Sequence, residues 1–195
     1  MVMRRKILVI LGHPRSESLC GAIGQSYIEG AEAAGHEVRR LELGGLTFDP
    51  ILRESVRGTQ PLEPDLQRAQ ELISWAEHLV FVYPTWWGGM PALLKGFIDR
   101  VLLPGFAYRY HIKDPFWDKL LRGRSARLLV TMGGPSWYYR LFSRMPGHNQ
   151  MKRTILHFCG IRPVRITNFD MVRSSKPARR ESWLAKARQL GARGD

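Results

Sequence analysis

Hydroxyl side chains, adjacent tryptophans and paired glycines are concentrated in three short segments of this 195-residue chain. The first segment, residues 12–19, reads Gly-His-Pro-Arg-Ser-Glu-Ser-Leu and leads into a helical pattern. The hydroxyls of Ser16 and Ser18, together with the free N–H groups of a helix start, suit a phosphate. The alternative is that one of these serines simply caps the helix. The segment has neither the lysine of a P-loop nor G-x-G-x-x-G, so neither an NTPase nor a Rossmann dinucleotide site is predicted.

The second segment, residues 83–91, places Trp86 beside Trp87 and follows them with Gly88 and Gly89. Two adjacent tryptophans cannot both face the core of one short element. Exposed aromatic surface at a strand end is unfavourable unless a flat ligand or another protein surface covers it. Glycines let the backbone approach a ring closely. The segment therefore predicts either a platform for a flat ligand or packing against a neighbouring helix or subunit.

The third segment, residues 131–139, begins Thr-Met-Gly-Gly and ends in Tyr138 and Tyr139, with His148 nine positions later. Backbone N–H groups at Gly133 and Gly134 can face an electron-rich ring edge. Tyrosine and histidine are proton donors with useful pKa values. From spacing alone, His148 is equally consistent with an incidental residue.

The elements that position these segments follow from the apolar runs. Strands are predicted at 6–11, 37–43, 79–83, 126–132 and 163–168, and the first, third and fourth are nearly continuous in apolar residues, as in a parallel sheet buried on both faces. Helices are predicted at 19–34, 65–76, 92–102, 149–158 and 177–190. Residues 47–64 and 106–121 are predicted to be irregular.

Alternation of strands and helices predicts one α/β domain over residues 1–195, a three-layer sandwich with a five-stranded parallel sheet and helices on both faces. One order open to such a sheet is the flavodoxin-like order 2-1-3-4-5. In that order strands 1, 3 and 4 are neighbours, so the three segments converge at the carboxyl edge, where such sheets bind ligands. A phosphate loop, an aromatic platform and polar donors together suit flavin mononucleotide (FMN) or the FMN half of FAD.

Composition narrows the class of protein. No apolar run approaches the ~20 residues of a membrane span, and the run at residues 7–11 is shorter than the ~7–15 residues of the apolar h-region of a signal peptide. The sequence therefore predicts a cytoplasmic protein. Cys20 and Cys159 form no disulfide framework and no metal spacing. The net charge is +13, but the cations are scattered and match no nucleic-acid motif. A solvated basic surface, attraction of a phosphorylated dinucleotide and peripheral membrane contact remain open.

With these segments in place, the chain resembles the NAD(P)H:quinone oxidoreductases of the flavodoxin-like superfamily, the DT-diaphorase relatives. The resemblance runs from Lys6 to Phe169. Its most specific pieces are the Pro-x-x-Trp segment with the following Gly-Met-Pro-Ala-Leu-Leu-Lys-Gly-Phe-Ile-Asp-Arg-Val, and residues 105–110, 131–134 and 155–160.

The resemblance implies a role for each matching position. The residues around the flavin phosphate and ribityl chain would be His13, Ser18, Leu19 and Cys20. The residues holding the isoalloxazine ring would be Pro84, Thr85, Trp86, Trp87 and Gly88. Its pyrimidine edge would meet Thr131, Met132, Gly133 and Gly134. Tyr139 and His148 match the pair that stabilises negative charge on the flavin. Tyr108, Tyr110 and Phe158 would line the quinone site, with both tyrosines supplied by the partner subunit of a homodimer.

Three features of the sequence depart from the family pattern. The spacing between Tyr139 and His148 is longer than in the animal enzymes, so Tyr138 is an alternative to Tyr139. Gly88 stands where those enzymes have an aromatic residue. The loop at residues 47–64 is shorter, which leaves FMN and FAD both open.

The reaction implied is ping-pong hydride transfer from NAD(P)H through the flavin to a quinone. One rival keeps the flavin and changes the acceptor to an azo dye, a nitroaromatic compound or free flavin. A second rival is a regulatory ancillary subunit of a potassium-efflux system. A third is an electron-carrier flavodoxin, which the large aromatic pocket disfavours.

Overall fold

The computed structural model describes residues 4–54 and 60–195. The strands are β1 (Lys6–Leu11), β2 (Glu37–Glu42), β3 (His78–Pro84), β4 (Tyr108–Tyr110), β5 (Trp117–Lys119), β6 (Ser125–Thr131) and β7 (Val164–Phe169). The α-helices are α1 (Leu19–Ala33), α2 (Pro64–Trp75), α3 (Ala92–Val101), α4 (Ser136–Leu141), α5 (Pro146–Asn149), α6 (His157–Cys159) and α7 (Pro177–Arg193). A π-helical segment, Gln150–Leu156, joins α5 to α6.

The main sheet has five parallel strands in the order β2-β1-β3-β6-β7. Since β4 and β5 form a separate hairpin, this is the predicted order 2-1-3-4-5, and the flavodoxin-like fold class is confirmed. The sheet strands confirm the predicted runs to within about two residues at each end, which is the usual uncertainty of element boundaries.

Side chains alternate between the two faces of the sheet, and each face has its own apolar core. On one face, Leu8 and Phe81 pack in the cluster that also contains residues of α2 and α3. On the other face, Val9 and Val80 pack with residues of α1 and α7. Every residue of β3 is buried, because the strand lies in the centre of the sheet with helices on both sides. This double burial fixes the positions of the loops that follow β1, β3 and β6.

Two segments predicted to be irregular contain regular structure. Residues 106–121 include the antiparallel hairpin of β4 and β5, whose three-residue strands are too short to show an alternating pattern. The third segment was interpreted as a loop up to Tyr139, but α4 begins at Ser136, so both tyrosines lie on a helix. The predicted helix at 149–158 starts earlier, at Pro146, and ends before Gly160, whose φ of 97° requires a left-handed backbone.

The ends of the loop at residues 47–64 are held by Arg100, which is fully buried in α3. Its guanidinium donates to the Pro61 carbonyl at 2.9 Å and to the Glu63 carboxylate at 2.8 Å. Residues 55–59 of this predicted loop lie outside the described residues, as do residues 1–3. Within residues 4–54 and 60–195, no helix combines the length and apolar character needed to cross a membrane.

Candidate functional site

The three segments singled out in the sequence do meet at the carboxyl edge of the sheet. The strands that precede them, β1, β3 and β6, are adjacent. Backbone hydrogen bonds continue past the strand ends: the Gly12 N–H donates to the Val82 carbonyl and the Thr85 N–H donates to the Thr131 carbonyl, both at 2.8 Å. The first residues of the three loops are therefore held side by side by the sheet itself.

In the first loop, Ser18 is the N-cap of α1. Its hydroxyl accepts from the Gly21 N–H at 3.1 Å and donates to the Arg15 carbonyl at 3.0 Å. His13 folds back in the same way, since its Nδ1 lies 3.0 Å from the Arg15 nitrogen. The capping role that the sequence left open is thus the role Ser18 has in this structure.

A cavity of about 350 Å³ lies against this first loop. Its lining residues are His13, Pro14, Arg15, Ser16, Glu17, Glu42, Gly44 and Gly45. The loop packs closely here, because a Cβ at Gly44 would lie 2.0 Å from the Pro14 carbonyl oxygen. Arg15 and the Ser16 hydroxyl can meet an anion, whereas Glu17 and Glu42 bring negative charge to the same cavity. Ser16 is therefore the serine whose side chain borders open space.

The second loop forms a tight turn that leaves a tryptophan in solvent. Trp86 and Gly89 exchange two backbone hydrogen bonds of 2.9 Å, and the residues between them, Trp87 and Gly88, have φ of 50° and 74°. Two positive φ values are typical of a type I′ turn. Trp87 is fully exposed and Trp86 is 45% exposed. A non-glycine residue in this left-handed region costs ~1–3 kcal/mol, and such strain is concentrated at functional sites.

The third loop presents two glycines that no contact among the described residues requires. A Cβ at Gly134 would meet no atom of the described residues within 4 Å, and one at Gly133 would meet only the Arg173 Nε at 3.9 Å. Neither glycine has a positive φ. The loop is held by Asp170 of the neighbouring strand end, whose carboxylate accepts from the Ser136 N–H and hydroxyl at 2.8 and 2.7 Å. The two glycines are thus free of both conformational and packing constraints.

A larger cavity of about 760 Å³ lies between the second and third loops. Its lining residues are Thr85, Trp87, Gly88, Met132, Gly133, Gly134, Pro135, Tyr138, Tyr139, Ser143, Pro146 and Arg173. Three of these lining residues were not predicted from the sequence: Ser143, Pro146 and Arg173. Arg173 could have been found, since it follows β7, and the loop after the last strand also lies at the carboxyl edge.

Tyr139 holds two sides of the larger cavity together through hydrogen bonds. Its hydroxyl donates to the Gly88 carbonyl at 2.5 Å and accepts from the Gly147 N–H at 3.0 Å, so it joins the second loop to α5. Gly147 is needed for this contact, because a Cβ there would lie 2.6 Å from the Gly88 oxygen. Burial raises the pKa of Tyr139, and the hydrogen bond from Gly147 offsets part of that effect. The phenol therefore keeps its proton at neutral pH.

His148 lies beside Tyr139, with 5.4 Å between the ring centroids. Its side chain is buried, and its Nε2 lies 2.7 Å from the Asn168 Oδ1. Burial lowers the pKa of His148, while the hydrogen bond with Asn168 acts in the opposite direction. The imidazole is therefore neutral at pH 7 and donates from Nε2 to the amide oxygen. The predicted pair is brought together, and Tyr138 lies apart, stacked on Phe142 with centroids 4.6 Å apart.

Cys20, Leu19 and Pro84 lie beneath the loops rather than at their surface. The Cys20 sulfur lies 3.2 Å from the Thr131 hydroxyl, and burial raises the pKa of this thiol to about 11. Leu19 packs at the edge of the second core, and Pro84 is the buried last residue of β3. These residues, with Thr131, form the packed layer beneath the three loops.

The proposed quinone-site residues do not line the cavity of their own chain. Tyr108, Tyr110 and Phe158 form a separate aromatic cluster at the β4–β5 hairpin, with centroids 5.1 Å apart for the two tyrosines and 5.0 Å for Tyr108 and Phe158. Phe158 also stacks on Trp117 at 4.5 Å. The larger cavity and this cluster are built from different residues.

The chain is similar in sequence and in fold to several known proteins. A family model described as Flavodoxin-like fold matches residues 5–191. The chain is 31% identical over 187 residues to a Cavia porcellus protein named NAD(P)H dehydrogenase (quinone) 1. The alignment covers 82% of this chain and 66% of that protein, so the chain spans just under two thirds of that relative's length. It is 29% identical over 187 residues to an uncharacterised NAD(P)H oxidoreductase of Haemophilus influenzae, covering 93% and 92% of the two chains.

Among solved structures, Smu.1420 from Streptococcus mutans UA159 superposes with a TM-score of 0.85 at 32% identity, covering 96% of this chain and 98% of that one. The resemblance seen in the motifs is confirmed by these matches, which extend over nearly the whole sheet and its helices. The chain therefore belongs to the family with the Flavodoxin-like fold.

Proposed function

We propose that this protein is a flavin-dependent NAD(P)H dehydrogenase that reduces quinones. The observation that carries the proposal is the open wall at Gly133 and Gly134, where neither conformation nor packing calls for glycine. A flat ring lying against the backbone would give both glycines a reason. The names of the Cavia porcellus and Haemophilus influenzae relatives support the same chemistry.

The residues around the larger cavity fit a flavin. Its volume of about 760 Å³ is within the ~300–1,000 Å³ of small-molecule sites. Trp87 offers an exposed indole at one side, and the backbone of the third loop offers N–H groups at another. The first loop, with the Ser16 hydroxyl and the start of α1, would take the phosphate. Either FMN or FAD satisfies these features.

Bound there, a flavin supplies two-electron transfer between NAD(P)H and a quinone. The protein's part is to position the ring and to stabilise negative charge. Gly133 and Gly134 keep side chains out of the ring's place. Tyr139 retains its one proton and donates it to the Gly88 carbonyl; to donate to a flavin it would release that carbonyl, which the Gly147 N–H would still hold at 3.0 Å. His148, neutral and bonded to Asn168, packs behind Tyr139 as its support.

The quinone is proposed to enter from a dimer interface. The hairpin that carries Tyr108 and Tyr110 exposes apolar side chains, including Tyr110 at 54%, Phe116 at 65% and Ile112 at 100%. Exposed apolar area of this kind is typical of protein interfaces. In a homodimer, the two tyrosines of one subunit would complete the cavity of the other. Sedimentation at micromolar concentration tests this: a monomer with full quinone reductase activity would rule out a shared site.

The flavin proposal is tested by adding FMN and FAD separately to the purified protein. We expect stoichiometric uptake of one of them, bleaching of its absorbance by NADPH or NADH, and recovery on addition of a small quinone. Ser16→Glu should weaken uptake by placing negative charge at the phosphate without removing the Ser18 cap. A protein that takes up neither flavin at micromolar concentration would overturn the proposal.

A further inference from the structure

A second cavity adjoins the proposed ring site and has different chemistry. Its volume is about 640 Å³, and it shares Trp87, Gly88 and Pro146 with the larger cavity. Its other lining residues are Gly89, Gly147, Asn149, Gln150, Arg153 and Thr154. The two cavities therefore meet at the Trp87 turn, and a single ligand with two ring systems could occupy both.

The polar lining of this second cavity comes from the π-helical segment Gln150–Leu156. π-Helical turns are rare and occur often at functional sites, because the extra residue per turn redirects side chains. Here the segment brings Arg153 and Thr154 to the cavity, while the neighbouring Lys152 is not part of its lining. Thr154 is steadied by its hydroxyl, which donates to the Gln150 carbonyl at 2.7 Å.

Arg153 is a cation available to a ligand. It is exposed, and the ion pairs found among the described residues do not include it. Other cations lie near this segment: after burial, the charges of Arg162, Lys152 and Arg153 are the next causes that lower the pKa of His157. A guanidinium can bind a phosphate through two parallel hydrogen bonds, which a lone ammonium cannot do.

We propose that this second cavity binds the adenosine phosphate end of the reduced nicotinamide dinucleotide, with Arg153 on a phosphate and Trp87 against the adenine. The inference rests on the proposed function, since it assumes that the nicotinamide ring enters the larger cavity beside the bound flavin. Adenine is flat and apolar on both faces, so the exposed indole of Trp87 is a suitable stacking surface. The strained φ of 50° at Trp87 is the backbone conformation that holds this indole at the junction of the two cavities.

The direct test is calorimetric titration of the flavin-loaded protein with 2′,5′-ADP and, separately, with 5′-ADP. Neither compound carries a nicotinamide, so the measurement is independent of turnover. We expect Arg153→Ala to weaken 2′,5′-ADP by about 10- to 100-fold, the usual range for losing a charge-assisted hydrogen bond. Arg153→Lys should recover part of the affinity. Lys152→Ala removes the same charge from the adjacent position and should leave binding unchanged.

The two titrants distinguish which phosphate is recognised. If Arg153→Ala weakens 2′,5′-ADP and spares 5′-ADP, Arg153 pairs with the 2′-phosphate, and the KM for NADPH should rise while that for NADH stays constant. If both titrants weaken, Arg153 pairs with the diphosphate region common to both dinucleotides. Equal losses in Arg153→Ala and Lys152→Ala, or no loss in either, would overturn the assignment. A protein that binds 2′,5′-ADP but never takes up flavin would fail the proposed function while retaining this site.

Discussion

Each edge of the sheet carries a buried histidine, and neither lines any of the three cavities described at the carboxyl edge, but only one of the two packs against a residue that does. At the amino edge, His78 begins β3, its Nδ1 lies 2.7 Å from the Ser125 hydroxyl, and its Nε2 has no partner among the described residues. Burial, the largest cause, lowers the pKa of His78 to about 3. At the carboxyl edge, burial lowers the pKa of His148, which lies against Tyr139 in the wall of the larger cavity.

A perturbed pKa therefore marks burial alone, and contact with a residue of a cavity wall is what distinguishes the surroundings of His148 from those of His78. The large shift belongs to His78, whose hydrogen-bond partner Ser125 lines none of the three cavities, whereas His148 lies against Tyr139, which lines the larger one. Nearby, Arg127 is satisfied by the Thr167 hydroxyl at 2.9 Å and by Asp195 at 3.1 Å. We interpret the amino edge as a packed structural layer and the carboxyl edge as the reactive one.

The largest expected effect is a loss of folding stability at acid pH, caused by protonation of His78 in the unfolded chain. His78 has a folded-state pKa of about 3 against 6.5 for the ordinary side chain, so the unfolded chain binds the extra proton between those values. Stability contributed by the neutral imidazole is complete above pH ~6.5 and is lost by about 1.4 kcal/mol for each pH unit as the pH falls toward 3. Urea unfolding of the parent and of His78→Gln at pH 7, 6 and 5 measures it. Parallel pH curves for the two proteins would contradict the interpretation.

The glycines of the carboxyl edge provide the next test. Gly134→Leu fills space that no internal atom occupies, so flavin affinity should fall at least about 100-fold, or ~3 kcal/mol, by overpacking the ligand. The free energy of unfolding should change by less than about 0.5 kcal/mol, as for other surface positions. Fluorescence titration with the flavin and urea unfolding give the two quantities.

Gly191 is the opposite case and serves as the control. A Cβ at Gly191 would lie 2.0 Å from the Tyr27 carbonyl, between α7 and α1 and away from the cavities. Gly191→Ala should therefore cost about 1–3 kcal/mol of stability and leave flavin affinity unchanged. If Gly134→Leu behaves like Gly191→Ala, the third loop is structural and the ring does not lie there.

Tyr139 tests the charge-stabilising role within the reactive edge. Losing one preorganised donor typically costs on the order of 100-fold in rate, or ~3 kcal/mol, so Tyr139→Phe should slow flavin bleaching by NADPH by that amount. Stability should fall by only about 1 kcal/mol, because the Gly147 N–H still donates to the Gly88 carbonyl at 3.0 Å. Stopped-flow absorbance isolates the step. Tyr138→Phe is the matched control, and slowing in that variant alone would move the role to Tyr138.

Much of the fold was predictable because central strands are buried on both faces. The runs before Gly12 and around Phe81 are apolar throughout, and that pattern predicted strands buried in a parallel sheet; the strand order, and with it the convergence of the three loops, followed from the flavodoxin-like fold class. The hairpin was missed because Tyr108–Tyr110 and Trp117–Lys119 are short and largely exposed, so burial leaves no periodic signal. Helix α4 was missed because its Trp and Tyr residues have modest helix propensity.

The candidate site was predictable at the level of loops and less so at the level of atoms. The family resemblance paired Tyr139 with His148, and the structure places their rings 5.4 Å apart, but the sequence could not show that the Tyr139 hydroxyl already bonds Gly88. Nor could it show that Ser18 is occupied as a cap while Ser16 borders the cavity. Such distinctions depend on hydrogen-bond partners from distant parts of the chain. The Arg153 cavity gave no sequence signal, since a π-helical turn has no recognisable pattern.

The smallest expected effect concerns the stability contribution of Trp87, and it separates binding from folding. Trp87→Gly removes an exposed indole and relieves the φ of 50° by about 1 kcal/mol, while the greater freedom of glycine in the unfolded chain offsets ~0.5–1 kcal/mol. The net change in the free energy of unfolding should be within about 0.5 kcal/mol.

Trp183, buried in α7 beside Phe169, is the control, and Trp183→Ala should cost about 3–5 kcal/mol. A loss above 1 kcal/mol in Trp87→Gly would mean that the turn needs its indole to fold. Without that loss, folding does not depend on the Trp87 indole, and weakening of 2′,5′-ADP binding by the same variant at full flavin occupancy measures the contact of the indole with adenine.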